Sequence, residues 1–287
     1  MSTRSRRLIE GVSFDADLRT VGVYAAVYGA AFLFVIPYWW MFATSVMPRG
    51  QIYSSTPHLI PRDITFQWYE VLFEGTLIVQ WTINTFILAL VTTVIVLLID
   101  AMIAYSLTRL EWPGRSVLFS LIVASFMVPT IVNLVPVYVI VNELGLINSL
   151  WGVVLPAAAG PLGVFMLVQF FKDIPVEVEE AARLDGFSRI RTFTTIILPM
   201  MRSALASLGL FIFVWTWNAF LWPLVILQSE GMYTLPIGIV TVQEGMGTTE
   251  PGIEMASAVV ASLPLLLVFL LIQNHLVKAV EMQGTTK

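Results

Sequence analysis

The chain has 287 residues, of which 57% are hydrophobic and only 12% are charged, whereas about 25% of residues are charged in an ordinary soluble domain. So few ionisable groups cannot cover the surface of a water-soluble protein of this size, so a bilayer is the predicted solvent. The absence of cysteine excludes disulfides, thiolate metal sites and cysteine nucleophiles. The net charge of −4 says little, because in membrane proteins the placement of charge is more informative than its sum.

Six apolar stretches are long enough to cross a bilayer, since a membrane helix needs roughly 20 residues at about 1.5 Å each. They lie at about 21–47, 82–107, 117–141, 150–171, 204–228 and 255–277. The predicted fold is therefore an all-α membrane protein with six transmembrane helices. Around them we expect an N-terminal tail (1–20), an extracytoplasmic loop (48–81), a core with five of the spans (82–279) and a C-terminal tail (280–287). Within the loop, segment 66–73 fits either an interfacial helix or a packed lid.

The basic residues predict the orientation of the spans. If both termini are cytoplasmic, the cytoplasmic segments hold 13 of the 15 Lys and Arg residues, and only Arg49 and Arg62 fall outside. A secretion signal starting at Arg6-Arg7 is the alternative. However, the first apolar run begins some 14 residues later, is about 27 residues long and lacks a small-residue cleavage pattern. We therefore expect a retained anchor in a multi-pass protein of the cytoplasmic membrane.

Charge is concentrated in one segment between the fourth and fifth apolar stretches, where nine of the twenty residues from 172 to 191 are charged. A solvated linker is one interpretation. However, Asp173 and Pro175 are typical of a helix start, and the acids that follow favour its positive end. Gly186 provides a left-handed stop, and Ser188 can cap a second short helix that Pro199 interrupts. The pattern therefore predicts two short helices in a cytoplasmic loop at 172–200.

One motif in this loop carries a family resemblance. The sequence reads Glu180-Ala181-Ala182, three residues, Gly186, nine residues, Ile196, one residue, and Leu198-Pro199. Every fixed position of the pattern EAA-x3-G-x9-I-x-LP is present. The segment resembles the EAA loop of binding-protein-dependent ABC transporter permeases. The resemblance implies the type I ABC importer permease fold, in which the first short helix of the loop is a coupling helix.

The resemblance also implies a set of partners. The residues of the motif, Glu180, Ala181, Ala182, Gly186, Ile196, Leu198 and Pro199, are expected to couple to a cytoplasmic ABC ATPase dimer. ATP and Mg would be bound by that ATPase, because this chain has no GxxxxGK[ST] phosphate loop. No catalytic residue, metal or cofactor is expected on the chain itself. The other expected partners are a second homologous permease, an extracytoplasmic solute-binding protein, the solute and membrane lipid, but no nucleic acid.

Further segments resemble the carbohydrate-importing branch, in its maltose-type second permease subunit. They are 127–129 (MVP), 135–138 (VPVY), 144–148 (LGLIN), 217–224 (WNAFLWPL) and Asn84-Thr85. Ala219 stands where the family commonly has an acid, which puts any role of that acid in doubt. The likeness covers about residues 66–280 and implies that the solute is a sugar or a related polyhydroxy compound. An amino-acid or peptide importer is the alternative.

Three residues are candidates for the translocation pathway: Asn133, Trp217 and Asn218. A sugar pathway needs aromatic faces and neutral groups that match hydroxyls, and these residues supply both. The alternative is that the asparagines make interhelical hydrogen bonds, and that the prolines near them only kink their helices.

Few other ionisable residues are candidates for function. Asp100 is the only acid clearly inside a predicted span, which makes it a functional candidate, although its position near Arg109 favours a structural role. His58 and His275 lie far apart and predict no metal site. A proton- or sodium-coupled carrier would show several intramembrane charges and an inverted repeat, and neither is visible. If the protein were a non-transporting membrane scaffold, the EAA spacing would be a coincidence.

Overall fold

The computed structural model describes residues 18–245 and 250–284, with side chains over 20–244 and 250–273. All regular structure in those ranges is helical, with no strand, which confirms the predicted all-α fold. Much of the predicted tails lies outside the described residues, namely 1–17, with Arg4, Arg6 and Arg7, and 285–287, with Lys287. The side chains of Arg19, His275 and Lys278 also lie outside the described set.

Fifteen α-helices follow one another along the described ranges. They are α1 (Leu18–Ser45), α2 (Arg49–Ile52), α3 (Gln67–Gly75), α4 (Ile78–Arg109), α5 (Arg115–Ala124), α6 (Leu134–Glu143), α7 (Leu150–Val154), α8 (Pro161–Lys172), α9 (Val176–Leu184), α10 (Arg189–Thr192), α11 (Leu198–Met200), α12 (Arg202–Trp217), α13 (Leu221–Ile226), α14 (Leu235–Gly245) and α15 (Pro251–Gly284). Short 3-10 turns lie at 125–127, 130–133, 155–157 and 230–232, and a π-helix at Phe193–Ile197.

Three of the described helices, α1, α4 and α15, are each long and apolar enough to cross a membrane. Three helix pairs pass the same test only as bent units, and counting each as one span gives up to six. These pairs are Arg115–Met127 with Thr130–Glu143, bent by 97°, Leu150–Ala157 with Pro161–Lys172, bent by 45°, and Arg189–Met200 with Arg202–Trp217, bent by 78°. The predicted span 204–228 falls on α12, a break at 218–220 and α13. Proline explains two of the bends, because Pro129 and Pro161 lack an N–H and disfavour helix in the preceding residue.

Helix α4 is the central element of the bundle and packs along both α8 and α12. Its alanines Ala101 and Ala104 are buried together with Leu167 and Phe171 of α8 and Leu208 of α12. Such small residues let neighbouring membrane helices approach closely, which maximises van der Waals contact where no hydrophobic effect drives association. The C-terminal part of α4 is therefore held between two helices.

Near the N-terminal end of α4, two tryptophan rings pack directly on glycines of other helices. The Trp81 ring lies on Gly238 of α14, where a Cβ would overlap the ring, and its Nε1 donates to the carbonyl of Glu230 at 2.8 Å. Trp68 of α3 lies in the same way on Gly252 of α15. Helix α3 (Gln67–Gly75), which includes most of segment 66–73, therefore packs on the bundle through Trp68.

Helix α1 lies at the edge of the bundle. Its main partner is α15, and its side chains are exposed from Thr20 to Trp39. Only the C-terminal end is covered, where Ala43, Thr44 and Ser45 are buried. A long apolar helix that exposes most of its surface is typical of a span whose solvent is lipid.

Candidate functional site

The charged loop folds around the short helix α9, as its sequence predicts. Pro175 precedes the helix with extended backbone, and Glu177 and Glu179 lie in its first turn, next to the positive end of the helix dipole. Arg183 lies in the last turn, where a cation favours the negative end. Pro175 precedes the helix as predicted, whereas Asp173 is the C-cap of α8 and does not cap α9.

Helix α9 is followed by a turn at Gly186 and then by a bent segment, residues 193–201, which we call the hinge. Gly186 has a φ of +82°, a left-handed conformation that favours glycine. A Cβ built there would meet no atom within 4 Å, so glycine is favoured by the backbone conformation and not by a lack of space. Ser188 Oγ accepts from the N–H of Arg191 at 3.3 Å and caps α10, as predicted. The π-helix Phe193–Ile197 comes next, and the chain then bends by 78° at Met201 into α12. Single π-helical turns are frequent at functional sites.

The first predicted coupling residues divide between two faces of α9. Glu180 and Ala181 are exposed, whereas Ala182 is buried. Leu184, which the motif does not include, is 90% exposed one turn after Glu180. Because residues four apart lie on the same side of a helix, Glu180 and Leu184 share a face with Ala181 beside them. We call these three residues the outward face of α9.

The later residues of the motif lie along the hinge. Ile196 and Leu198 are half-buried and Pro199 is exposed, while Ile197 between them is fully buried. Ile197 belongs to the same buried apolar cluster as the end of α8, so the hinge is anchored in the bundle at this point.

The inward side of α9 is held by a buried ion pair. The Glu179 carboxylate lies 3.0 Å from Arg109 Nε at the end of α4, and both side chains are buried. The Tyr105 hydroxyl donates to the other carboxylate oxygen at 3.2 Å. Arg109 Nη2 also donates to the carbonyls of Phe171 at 2.7 Å and Ile174 at 2.5 Å. One guanidinium therefore joins α4, the end of α8 and α9, through this ion pair and the two hydrogen bonds that Nη2 donates.

The Tyr105 ring extends this cluster to the hinge. Its centroid lies 5.9 Å from that of Phe171 and 4.8 Å from that of Phe193 in the π-helix. Aromatic pairs of this kind contribute about 0.5–1.5 kcal/mol each beyond their buried area. The end of α4 thus contacts both α9 and the segment that leads from it to α12.

The chain matches the family described as the binding-protein-dependent transport system inner membrane component over residues 98–282. That range contains α9, the hinge and the Arg109–Glu179 pair. The chain belongs to this permease family. It is therefore a multi-pass protein of the cell membrane and a transport subunit without a catalytic role of its own.

Several permeases with assigned solutes are similar over most of the chain. The arabinooligosaccharides transport system permease protein AraQ of Bacillus subtilis is 31% identical over 88% of this chain and 90% of its own. The trehalose transport system permease protein SugB of Mycobacterium tuberculosis is 31% identical over 85% of this chain and 89% of its own. The sn-glycerol-3-phosphate transport system permease protein UgpE of Brucella abortus is 31% identical over 84% of this chain and 89% of its own.

A solved structure has the same fold. It is the crystal structure of a bacterial ABC transporter involved in the import of the acidic polysaccharide alginate, with a TM-score of 0.76 at 22% identity. The match covers 89% of this chain and 96% of that chain. The predicted type I ABC importer permease fold is confirmed.

The permease has a cavity of about 560 Å³ between α4, α6, α7 and the α12–α13 break. Its polar and aromatic lining consists of Thr92, Thr130, Asn133, Thr216, Trp215 and Trp222. Among the described residues that line it, none carries a charge, and the remainder are apolar. Such a surface offers hydroxyl and amide groups and aromatic faces to a neutral solute.

The structure separates the three residues predicted for the pathway. Asn133 lines the cavity. Trp217 does not line it, because its ring is buried, stacks on Phe213 at 5.8 Å and donates from Nε1 to the carbonyl of Ala261 at 3.2 Å. Asn218 is exposed and donates from Nδ2 to the carbonyl of Val214 at 2.7 Å, so it closes the end of α12.

Two of the segments that resemble the carbohydrate-importing branch, Asn84-Thr85 and 144–148, form turns and contacts with loops. Asn84 Nδ2 donates to the carbonyls of Gly231 and Tyr233, both at 2.9 Å, and Thr85 Oγ1 accepts from the N–H of Leu235 at 2.7 Å. Asn148 has a φ of +57°, and its Oδ1 accepts from the backbone N–H of Gln228 at 3.0 Å. These residues fix the loops at the end of the bundle opposite α9.

Within the described residues, no group of three or more His, Asp or Glu side chains lies close enough to hold a metal ion. The candidate site residues that the sequence did not reveal are Leu184, Glu179 and Tyr105. Glu179 is adjacent to the motif, but only the fold shows that it faces Arg109, which lies 70 residues earlier in the chain.

Proposed function

We propose that this permease is driven by a separate cytoplasmic ABC ATPase through the outward face of α9, and that it imports a sugar or a related polyhydroxy solute. The observation that carries the proposal is the two-sided character of α9. Glu180, Ala181 and Leu184 are free on one side, while Glu179 is ion-paired to the bundle on the other. Because α9 is ion-paired to the bundle on one side and exposed on the other, a partner that binds the exposed side can displace α9 together with the bundle.

The chemistry of the outward face supports docking into a groove of the ATPase. Ala181 lets a partner backbone approach closely, Leu184 offers an apolar anchor, and Glu180 supplies a charge that can set orientation. Movement of α9 would then reach α12 through Gly186 and the hinge that contains Ile196, Leu198 and Pro199. Ala182 is buried and is therefore not available to the ATPase.

The ATPase is proposed as a dimer that binds ATP and Mg, since the permease has no phosphate-binding loop. The orientation follows from the basic residues, with both termini, the tails 1–20 and 280–287 and the loop 172–200 in the cytoplasm. The loop 48–81 then lies outside, where its ion pair between Arg49 and Glu250 joins it to the start of α15 at 2.7 Å.

The sugar proposal rests on two observations. Relatives at 31% identity are named for the transport of arabinooligosaccharides and trehalose. The cavity combines Asn133 and threonine hydroxyls with Trp215 and Trp222, and sugars are bound by such hydrogen-bonding groups and flat aromatic faces. Trp215 and Trp222 take the role that the sequence assigned to Trp217.

A second homologous permease and an extracytoplasmic solute-binding protein complete the proposed importer. The cavity lies on the flank of one bundle, and many side chains of α5 and of the turn 130–133 beside it are exposed. A second bundle facing this flank would enclose the pathway and exclude lipid from it.

The test is transport in proteoliposomes that contain the permease, its co-expressed partner permease, ATPase and binding protein. Arabinooligosaccharide, trehalose and glycerol 3-phosphate are the probes, with an amino acid and a dipeptide as comparisons. We expect uptake that requires internal ATP and persists when ionophores collapse ion gradients. Uptake that is unchanged without the ATPase and is abolished by an ionophore would instead indicate an ion-coupled carrier.

A further inference from the structure

Asp100 is a fully buried acid in the middle of α4 that the proposed coupling does not use. Its Oδ1 accepts from the N–H of Gly160 at 3.3 Å, immediately before Pro161 begins α8. Its Oδ2 has no hydrogen-bond partner among the described residues and lies so close to Gly163 that a Cβ there would overlap it. The carboxylate therefore covers the first turn of α8.

The C-terminal end of α8 is contacted by Arg109, which, like Asp100, belongs to α4. Arg109 Nη2 donates to the carbonyl of Phe171 in the last turn and to that of Ile174 just beyond it. Ile174 lies beyond the helix, and the Phe171 carbonyl also accepts from the N–H of Ile174 at 3.2 Å, so the guanidinium adds a second donor at this end of α8. Helix α4 thus offers a carboxylate to the N-terminus of α8 and a guanidinium to its C-terminus.

The spacing of the two charges fits this arrangement. Nine residues separate Asp100 from Arg109, which is about 13.5 Å along α4, and the 12 residues of α8 span about 18 Å. Because the acid faces the start of α8 and the base faces its end, the two helices run parallel. An anion at the positive end of a helix and a cation at its negative end both stabilise it, and most strongly where water is excluded.

We propose that Asp100 and Arg109 are positioning residues that clamp α8 onto α4 at both ends, so that α4, α8 and α9 move as one rigid body when the ATPase displaces α9. The inference rests on the proposed function. Without the anion at its start, α8 can swivel at the Gly160-Pro161 break, where the chain already bends by 45° and proline supplies no N–H. A displacement of α9 then rotates α8 at this bend and is not transmitted through the bundle to the translocation pathway.

The first test replaces Asp100 by Asn, which keeps the shape of the side chain and removes its charge. In the reconstituted importer we expect solute moved per ATP hydrolysed to fall roughly three- to tenfold, because loss of the anion weakens the interaction that holds the start of α8. ATP hydrolysis itself should continue. Glu111→Gln is the matched control, since it makes the same chemical change at an exposed residue just beyond α4. An unchanged ratio in Asp100→Asn would overturn the clamp.

Gly163→Ala tests the same contact without altering the acid. The added methyl group displaces Oδ2 from the first turn of α8, so we expect the same fall in solute moved per ATP. A variant that does not assemble is recognised by loss of the co-purifying subunits, which is a different result from hydrolysis without transport.

A distance measurement tests the rigid body in the unaltered clamp. The chain has no cysteine, so spin labels can be placed at Met102→Cys on α4 and Phe165→Cys on α8, which are 53% and 38% exposed. We expect the same narrow distance distribution in the nucleotide-free and vanadate-trapped importer, and a broader one with Asp100→Asn. A shift between the two states with Asp100 intact would refute the proposal.

The two proposals fail in different ways. If the wild-type assembly shows no ATP-dependent uptake, the proposed function is wrong. If it transports normally and the α4–α8 distance changes during the cycle, only the clamp is wrong.

Discussion

The buried Glu179 carboxylate lies 3.0 Å from Arg109 Nε, whereas its immediate neighbour Glu180 is exposed on α9. Glu180 belongs to the EAA motif and Glu179 immediately precedes it, yet the two acids lie in different environments. Glu179 is paired with Arg109 of the bundle, and the Glu180 side chain is exposed. The family pattern identifies the exposed acid, and the structure identifies the buried one.

Replacing Arg109 by Gln should destabilise the permease, because it leaves the Glu179 carboxylate buried and unpaired. Loss of one member of a buried pair costs about 3–5 kcal/mol. Thermal denaturation of the purified permease measures the effect. The double variant Arg109→Gln/Glu179→Gln should lose less than the sum of the single losses, and Arg62→Gln, at an exposed arginine, is the control. Additive losses would show that the two residues do not interact.

Replacing Leu184 by Asp should abolish ATPase docking without changing the stability of the permease, because the side chain is 90% exposed and has little packing to lose. Co-purification of the ATPase with the permease, alongside thermal denaturation, measures the two effects. Leu59→Asp, at a leucine that is 62% exposed in the loop 48–81, is the matched control. Retention of the ATPase by the Leu184 variant would exclude the outward face of α9 as its docking site.

Replacing Gly186 by Ala should lower ATP-driven uptake, whereas Gly186→Asn should retain more of it. The backbone at this position is left-handed, which costs an L-residue roughly 1–2 kcal/mol but is more accessible to Asn. Gly50→Ala is the control, because that glycine has open space around it and no positive φ. Equal uptake by the Ala and Asn variants would mean that the turn conformation is unimportant.

Trp215 and Trp217 should respond oppositely to replacement by Ala. Trp217 is 2% exposed, so its loss should cost about 3–5 kcal/mol of stability. Trp215 is 72% exposed and lines the cavity, so its loss should leave stability nearly unchanged and raise the KM for the solute. Thermal denaturation and concentration-dependent uptake separate the two effects. A raised KM for the Trp217 variant alone would place the pathway on the other side of α12.

The tryptophans also show what the sequence can and cannot predict. Residues two apart on a helix point about 200° from each other, so Trp217 of the WNAF motif and Trp215, which precedes the motif, face different sides of α12. The motif alone does not indicate which ring faces the cavity. The turn at Gly186 and the cap at Ser188 were predictable because each depends on one residue and its near neighbours. The contacts of Arg109 were not predictable, since they bring together three helices that are distant in sequence. The break near Pro161 was missed, because residues 150–171 were predicted as one span, and the acid that contacts the break lies 60 residues earlier in the chain.

Helix α4 is continuous over 32 residues, about 48 Å, and makes specific contacts at both ends. Asn84 and Thr85 hold the loop at 231–235, while Tyr105 and Arg109 hold α9 and the hinge. A stiff rod that turns about its axis turns both ends through the same angle. Because one continuous helix carries the contacts at both ends, a rotation of α4 about its axis would move the loop at 231–235 and α9 together.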